Sequence, residues 1–258
     1  SVRPQHELGD KPLRFNWQSP ILLSKHNQDV FYFGSNRFHR SFNKGENSVN
    51  LSGDLTGGKK EGNVPFGTLV TMSESPLRFG LIYTGSDDGF IHLTKDGGYS
   101  WTAIHSKLPK QVQGLYVSRV IASKYKESRV YVTLNGYRND HFAAWVFVSE
   151  DYGTTWKQIF TDLPAEPVNV IREDPKQENL LYVGTDHALY VSVDAGAGSM
   201  AWMSNLPRVA IHDIAIQERE NEIVLGTHGR SLYIGSLTEV QKLAADKAYY
   251  EMKKAELK

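Results

Sequence analysis

The chain has 258 residues, enough for one large domain with a substantial core or for two small ones. Its 29 Lys and Arg balance its 29 Asp and Glu, so the formal net charge is zero, which argues against a general binder of nucleic acid or anionic membrane, both of which need a basic surplus. Cysteine is absent, which excludes a disulfide framework, thiolate chemistry and cysteine metal sites, and no run of about 18 apolar residues is long enough to span a membrane.

The start, Ser1-Val2-Arg3-Pro4, reads as a cut or processed end, and no leader peptide is visible. Residues 1–13 read as an N-terminal linker or a closing strand. From there one β-rich element recurs: Tyr32-Phe33-Gly34-Ser35-Asn36, Tyr83-Thr84-Gly85-Ser86-Asp87, Tyr182-Val183-Gly184-Thr185-Asp186 and Val224-Leu225-Gly226-Thr227-His228, with a looser copy at Tyr131-Val132-Thr133-Leu134-Asn135. The matching positions 35, 86, 134, 185 and 227 are 51, 48, 51 and 42 residues apart. A period of roughly 40 to 50 residues is the mark of propellers and solenoids.

A second element follows each copy. Thr94-Lys95-Asp96-Gly97-Gly98-Tyr99-Ser100-Trp101 and Ser149-Glu150-Asp151-Tyr152-Gly153-Thr154-Thr155-Trp156 are full copies. Ser41-Phe42-Asn43-Lys44-Gly45-Glu46-Asn47-Ser48 is a worn one, and Ser192-Val193-Asp194-Ala195-Gly196 begins a fourth whose aromatic is delayed to Trp202. Leu108-Pro109, Leu163-Pro164 and Leu206-Pro207 close three units. Four short strands fall in the first unit (20–24, 30–34, 38–42, 49–52) and four in the third (116–123, 129–134, 144–149, 156–160). Several are nearly continuous apolar runs, as in sheets packed on both faces. Four strands per unit of this length predict an all-β propeller, with blades at about 14–58, 64–109, 114–164, 165–207 and 208–236. The last has strand signals at 211–216, 222–226 and 231–234 and lacks a fourth. Gly57 to Gly62 is Gly- and Lys-rich and reads as an exposed connection.

The box has a structural explanation. Asp96 and Asp151 can accept hydrogen bonds from their own turn, Gly98 and Gly153 can supply positive φ, and Trp101 and Trp156 can fold inward under the turn. Aspartate beside glycine also raises a calcium loop, but the alternate carboxylates and terminal Glu of such loops are missing, so neither metal nor cofactor is expected. After residue 236 the pattern changes. Ser236-Leu237-Thr238-Glu239 reads as a capping box, and Leu237, Val240, Ala244, Ala248 and Met252 recur at helical spacing, predicting an amphipathic C-terminal helix over 237–258.

On these residues the chain resembles the Asp-box, or bacterial-neuraminidase-repeat, propellers of sialidases, some polysaccharide hydrolases and sortilin-type proteins. Phe15-Asn16-Trp17-Gln18-Ser19-Pro20-Ile21, Gly34-Ser35-Asn36-Arg37-Phe38-His39-Arg40-Ser41, Leu51-Ser52-Gly53-Asp54-Leu55-Thr56, Tyr116-Val117-Ser118-Arg119, Ile171-Arg172-Glu173-Asp174-Pro175 and Gly226-Thr227-His228-Gly229-Arg230 extend the resemblance, over about residues 12–236, to the C-terminal half of bacterial sortilin-like proteins often labelled glycosyl hydrolases. That resemblance implies an extracytoplasmic location, periplasmic, outer-surface or secreted. It also implies further blades upstream, so that about four and a half to five blades here belong to a larger ring. Open strand edges are generally avoided. The ring is then closed by another polypeptide segment or chain, the favoured expectation, by residues 1–11 as the last blade's missing strand, or by the helical tail over a three-stranded last blade.

Propeller sites sit at the mouth of the channel, beside innermost strands. Those strands are expected near 21–24, 67–71, 117–123, 168–172 and 211–216. Arg119, Arg172, Glu173, Asp174, His212 and Asp213 lie on or beside them, and Arg138, Asp140, His228 and Arg230 come from neighbouring elements. Arg119, Arg172 and Arg230 fall in three blades and have the chemistry of a carboxylate clamp, yet no Tyr–Glu nucleophile pair can be assigned. Asp140, Glu173 and Asp213 are candidates for the two carboxylates of a glycosidase. Each has a structural alternative: Arg172 pairing with Asp174 across a turn, or Arg230 pinning neighbouring blades. The reading favoured is a peptide- or protein-binding or scaffold propeller, with peptide, protein or glycan as ligand and glycoside hydrolysis as the alternative.

Overall fold

The computed structural model describes residues 2–6, 8–58, 66–202 and 205–256. From Lys59 onward, the polar connection expected up to Gly62 lies outside the described residues. Every sheet is an antiparallel meander with strands in chain order. The first holds β1 (Ile21–Leu23), β2 (Phe31–Gly34), β3 (Phe38–Ser41) and β4 (Val49–Asn50), and the second β5 (Leu69–Glu74), β6 (Ile82–Ser86), β7 (Ile91–Thr94) and β8 (Thr102–Ala103). The third holds β9 (Tyr116–Ala122), β10 (Val130–Gly136), β11 (His141–Ser149) and β12 (Lys157–Ile159), and the fourth β13 (Val168–Glu173), β14 (Leu181–Thr185), β15 (Leu189–Ser192) and β16 (Met200–Ala201). The fifth has three strands, β17 (Ile211–Gln217), β18 (Glu222–Thr227) and β19 (Leu232–Ser236). The expected innermost strands are therefore β1, β5, β9, β13 and β17. β2, β6 and β14 are buried along their whole length, which is why they read as apolar runs rather than alternating ones.

The chain divides into two compact units, Ser1–Asp140 with Phe147–Lys157, and His141–Val146 with Gln158–Lys258. Within the first, Tyr32, Phe38, Leu69 and Ile82 form a core in which the first two sheets meet. The repeat's glycine makes that approach close. A Cβ on Gly34 would stand 3.1 Å from Leu69 Cβ, and one on Gly85 2.5 Å from Val117 Cγ1, so the innermost strand of each following sheet seats where a side chain is missing. In the second unit the same role falls to Gly184, whose Cβ would stand 2.8 Å from Ile211 Cγ2. The N-terminal segment packs on the first sheet, with Phe15 edge-on to Phe33 at 5.9 Å and Arg3 4.1 Å over the Phe15 ring.

Four hairpins between third and fourth strands share one hydrogen-bond pattern. The first residue's hydroxyl donates to the third residue's side chain: Ser41 to Asn43 (2.7 Å), Thr94 to Asp96 (2.7 Å), Ser149 to Asp151 (2.8 Å) and Ser192 to Asp194 (2.7 Å). The same hydroxyl accepts from the N–H of Gly45, Gly98, Gly153 or Gly196. The third side chain accepts the N–H four residues on, from Asn47, Ser100, Thr155 and Gly198. Hydrogen bonds led by the Ser100 hydroxyl hold Asp96 far below the usual carboxylate range, and those led by the Thr155 N–H lower Asp151. The turn uses positive φ, 84° at Gly153. Trp101 lies 5.2 Å from Phe38 and donates its indole N–H to Leu51 O at 3.1 Å. The corresponding N–H of Trp156 is buried without an acceptor among the described residues.

The tail is two helices, α1 (Thr238–Ala245) and α2 (Lys247–Glu256), rather than one, and Asp246 parts them in extended conformation. The expected capping box does not form, since the N-cap position, Leu237, carries no side-chain cap. Ser236 Oγ accepts the Thr238 N–H at 3.2 Å, but Glu239 takes the Tyr249 hydroxyl at 2.9 Å instead of reaching back. Leu237 and Val240 are buried in the core of the second unit.

Gly153→Ala places a Cβ 2.6 Å from Ile104 Cδ1 in the left-handed region, and is expected to cost about 2–4 kcal/mol in urea unfolding. Gly53→Ala, which meets open space, should shift the midpoint by no more than about 0.5 kcal/mol. Burial lowers His39 to about 4, with Arg37 adding to it. Its neutral form is favoured in the folded state, so its contribution is complete above pH 6.5 and is lost as the pH falls towards 4, by about 3 kcal/mol. His39→Gln should flatten that acid limb when stability is measured against pH.

Candidate functional site

The innermost strands carry the expected polar residues, and two of them, Arg172 and Asp213, link one sheet to the next. In the first unit Arg119 is half-buried on β9. Arg138 belongs to a 3-10 turn over Tyr137–Asn139 and lies 5.4 Å over the ring of Tyr116, whose hydroxyl is pushed up by burial. Asp140 ends that turn with φ 53°, and its N–H bonds Tyr137 O. Its value to the chain is therefore conformational.

In the second unit Arg172 donates to Ile214 O at 2.8 Å, to Ile171 O at 3.0 Å and to Asp213 Oδ1 at 3.0 Å. Asp174, the expected partner across the turn, has described partners of its own. Asp174 is fully buried and accepts the Tyr182 hydroxyl (2.8 Å), the N–H groups of Lys176 and Gln177, and Gln241 Nε2 of α1. It caps the turn after β13 and ties the tail to the fourth sheet. Glu173 is half-buried at the end of β13. His212 and His228 come together, ring centroids 5.2 Å apart, and His212 is lowered by burial first and by His228 second. Arg230 is exposed in the β18–β19 hairpin and does not pin neighbouring sheets in the described contacts. Of the three clamp arginines, then, Arg172 is already spent on two carbonyls and a carboxylate.

Sequence reasoning missed a different arrangement. A pocket of about 300 Å³ opens in the second unit, walled by Pro164, Ala188, Ala201, Trp202, Leu206 and Pro207. Its polar groups are Glu166, His187, Tyr190 and Arg208. Glu166 is buried, accepts the Thr185 hydroxyl at 2.7 Å, and lies 3.4 Å from both His187 Nδ1 and Arg208 Nη2. Burial, and next the charge of Glu166, raise the Tyr190 hydroxyl. The result is an apolar slot with one buried carboxylate at its side and two exposed nitrogen groups at its rim. Its polar members are scattered from 166 to 208, three in loops and Tyr190 on β15, at positions that no repeat marks as functional. The available signal was the Leu-Pro marker: Pro164 and Pro207 line the pocket, and Glu166 and Arg208 lie within two residues of them.

Solved structures to which the chain is similar include two GH74 enzymes and YCF48. A GH74 xyloglucanase from Xanthomonas campestris superposes with a TM-score of 0.66 at 16% identity, over 83% of this chain and 36% of that one. The GH74 enzyme of Niastella koreensis gives 0.64 at 14%, over 86% and 36%. YCF48 bound to D1 peptide gives 0.58 at 15%, over 89% and 65%. Neither a protein-family model nor a curated protein sequence matches the chain. At such identities the likeness defines the fold, and the fold is a β-propeller with C-terminal helices. The chain spans about a third of the length of the GH74 structures and 65% of YCF48.

If Asp174 is a structural hub, Asp174→Ala leaves Tyr182, Gln241 and two N–H groups without their acceptor and should cost about 3 kcal/mol or more. Hydrogen exchange should report it as lost protection over Thr238–Ala245. Retained protection there would contradict the hub.

Proposed function

We propose that this propeller is a binding module that takes an extended peptide or protein segment at the Glu166–Arg208 pocket, and that it works outside the cytoplasm as a member of the Asp-box, sortilin-like class. The class and the location rest on the resemblance of the repeat boxes. The pocket reading rests on one observation: among its described lining residues Glu166 is the single carboxylate, and it is already held by Thr185. Hydrolysis of a glycoside by the usual route needs two carboxyl groups about 5 to 9 Å apart. Binding needs an apolar slot with a few convergent polar groups, which is what Trp202, Pro164 and Pro207 offer beside Glu166, His187 and Arg208.

The occupant that fits is an apolar side chain seated against Trp202, next to an acidic residue within reach of Arg208, which is 75% exposed along its side chain. The likeness to YCF48 in its peptide-bound form supports a peptide over other ligands. The alternative, hydrolysis of a polysaccharide at the central channel, draws support from the likeness to a xyloglucanase.

The two separate in one set of measurements. Against a displayed random-peptide library, the chain should enrich peptides that pair an apolar with an acidic residue. Trp202→Ala and Arg208→Ala should each weaken binding of the enriched peptide by about tenfold. Xyloglucan and sialoside substrates should be left intact. Turnover of either substrate would replace this reading with the hydrolytic one.

A further inference from the structure

We propose, on the reading that the Glu166–Arg208 pocket binds a peptide, that this pocket is the vacated counterpart of a seat that Phe90 fills in the second sheet, and that the bound segment presents an aromatic side chain to it.

The two places correspond bond for bond. In the second sheet the Ser86 N–H donates to Phe90 O at 3.0 Å, the Ser86 hydroxyl lies 3.3 Å from the same oxygen, and the Phe90 N–H donates to Ser86 Oγ at 2.8 Å. In the fourth the Thr185 N–H donates to Ala188 O at 3.0 Å, the Thr185 hydroxyl lies 3.2 Å from it, and the Ala188 N–H donates to Thr185 Oγ1 at 3.1 Å. The flanks agree. Asp87 and Asp186 donate their N–H groups to Thr68 O and Pro167 O, and Ile104 and Trp202 donate theirs to Ile91 O and Leu189 O. Ala188 therefore holds the place of Phe90, and Tyr190 that of His92. The hydroxyl also fixes a carboxylate in each sheet: Ser86 donates to Asp88 Oδ1 at 2.6 Å, and Thr185 to Glu166 Oε2 at 2.7 Å.

What occupies the two places differs. The Phe90 ring lies 4.4 Å from the ring of His105 and is stacked at 6.3 Å on that of His92. Main chain is seated against it: Gly57 donates its N–H to Asp88 Oδ2 at 2.8 Å, and a Cβ on Gly57 would stand 2.8 Å from Phe90 Cε2. The second sheet thus holds an aromatic ring beside a backbone N–H on the carboxylate's second oxygen. In the fourth sheet the methyl of Ala188 lines a pocket of about 300 Å³, with Tyr190, Trp202, Pro164 and Pro207 around it. The second oxygen there, Glu166 Oε1, has His187 and Arg208 at 3.4 Å, longer than an ordinary N–H···O bond, and can accept a main-chain N–H. The first sheet carries Arg37 at the same position, paired with Asp10 at 3.3 Å. In the fourth, Arg208 already faces the carboxylate, so an uncharged ring packing on Trp202 suits the slot better than a second cation.

Two displayed peptide libraries panned against the full chain test this. Both contain acidic residues; one offers Phe, Tyr and Trp as its only apolar residues, the other Leu, Ile and Val. The best aromatic binders should exceed the best aliphatic ones by about tenfold or more, and Arg208→Ala should weaken them. Ala188→Phe lets the chain's own ring take the seat and should weaken the aromatic peptides by about tenfold, with the fold verified by circular dichroism. If that variant misfolds, the comparison of the two libraries on the wild type still decides. Aliphatic peptides that bind as tightly, and are still weakened by Arg208→Ala, overturn the aromatic assignment and leave the peptide reading in place. Full affinity in a folded Ala188→Phe overturns it as well, since the ring is then seated elsewhere. No binder from either library removes both the assignment and the peptide reading.

Discussion

A single hydroxyl, at once donor and acceptor, sets the turn on which each of the first four sheets depends. In Thr94 and Ser149 it gives its proton to an aspartate and takes the N–H of a glycine four residues on, so that the hairpin closes on itself. The glycine then occupies a left-handed conformation and presses on the preceding sheet. One local network therefore does two jobs: it ends a strand pair and it spaces neighbouring sheets. The aspartates are held ionised by the same bonds, which suits a turn that must survive a wide range of pH.

Much of the fold was legible because the repeat punctuates it. The box at Thr94 to Trp101, the glycine of the second strand and the apolar runs located the sheets to within a few residues, since each is a demand of backbone geometry or of burial on both faces. The tail was legible as amphipathic but not as two helices. The break at Asp246 has no proline or glycine to announce it, and the partnership of Glu239 with Tyr249 links residues ten apart that no spacing rule joins.

The site was far less legible, for a physical reason. Arg172, Asp174 and Asp213 have the residue types of an active centre, and a sequence cannot say whether an arginine faces a ligand or the carbonyl of Ile214. The residues that do converge on a pocket, Glu166, His187, Tyr190, Trp202 and Arg208, come from three loops and one short strand. Their convergence is a property of how successive meanders are stacked, which leaves no period and no motif behind.

The two box tryptophans show how far the repeats have ceased to be interchangeable. Trp101 finds the carbonyl of Leu51 in the sheet before it, whereas the indole nitrogen of Trp156 has been enclosed with no such acceptor among the described residues. An enclosed N–H of that kind costs about 1–3 kcal/mol. Sheets that look alike in sequence are thus fitted to particular neighbours, and shuffling them into a new order would carry the Trp101 indole away from the Leu51 carbonyl and leave it only the Gly98 carbonyl of its own hairpin. The propeller's modularity is a record of its ancestry rather than a freedom its present sheets still possess.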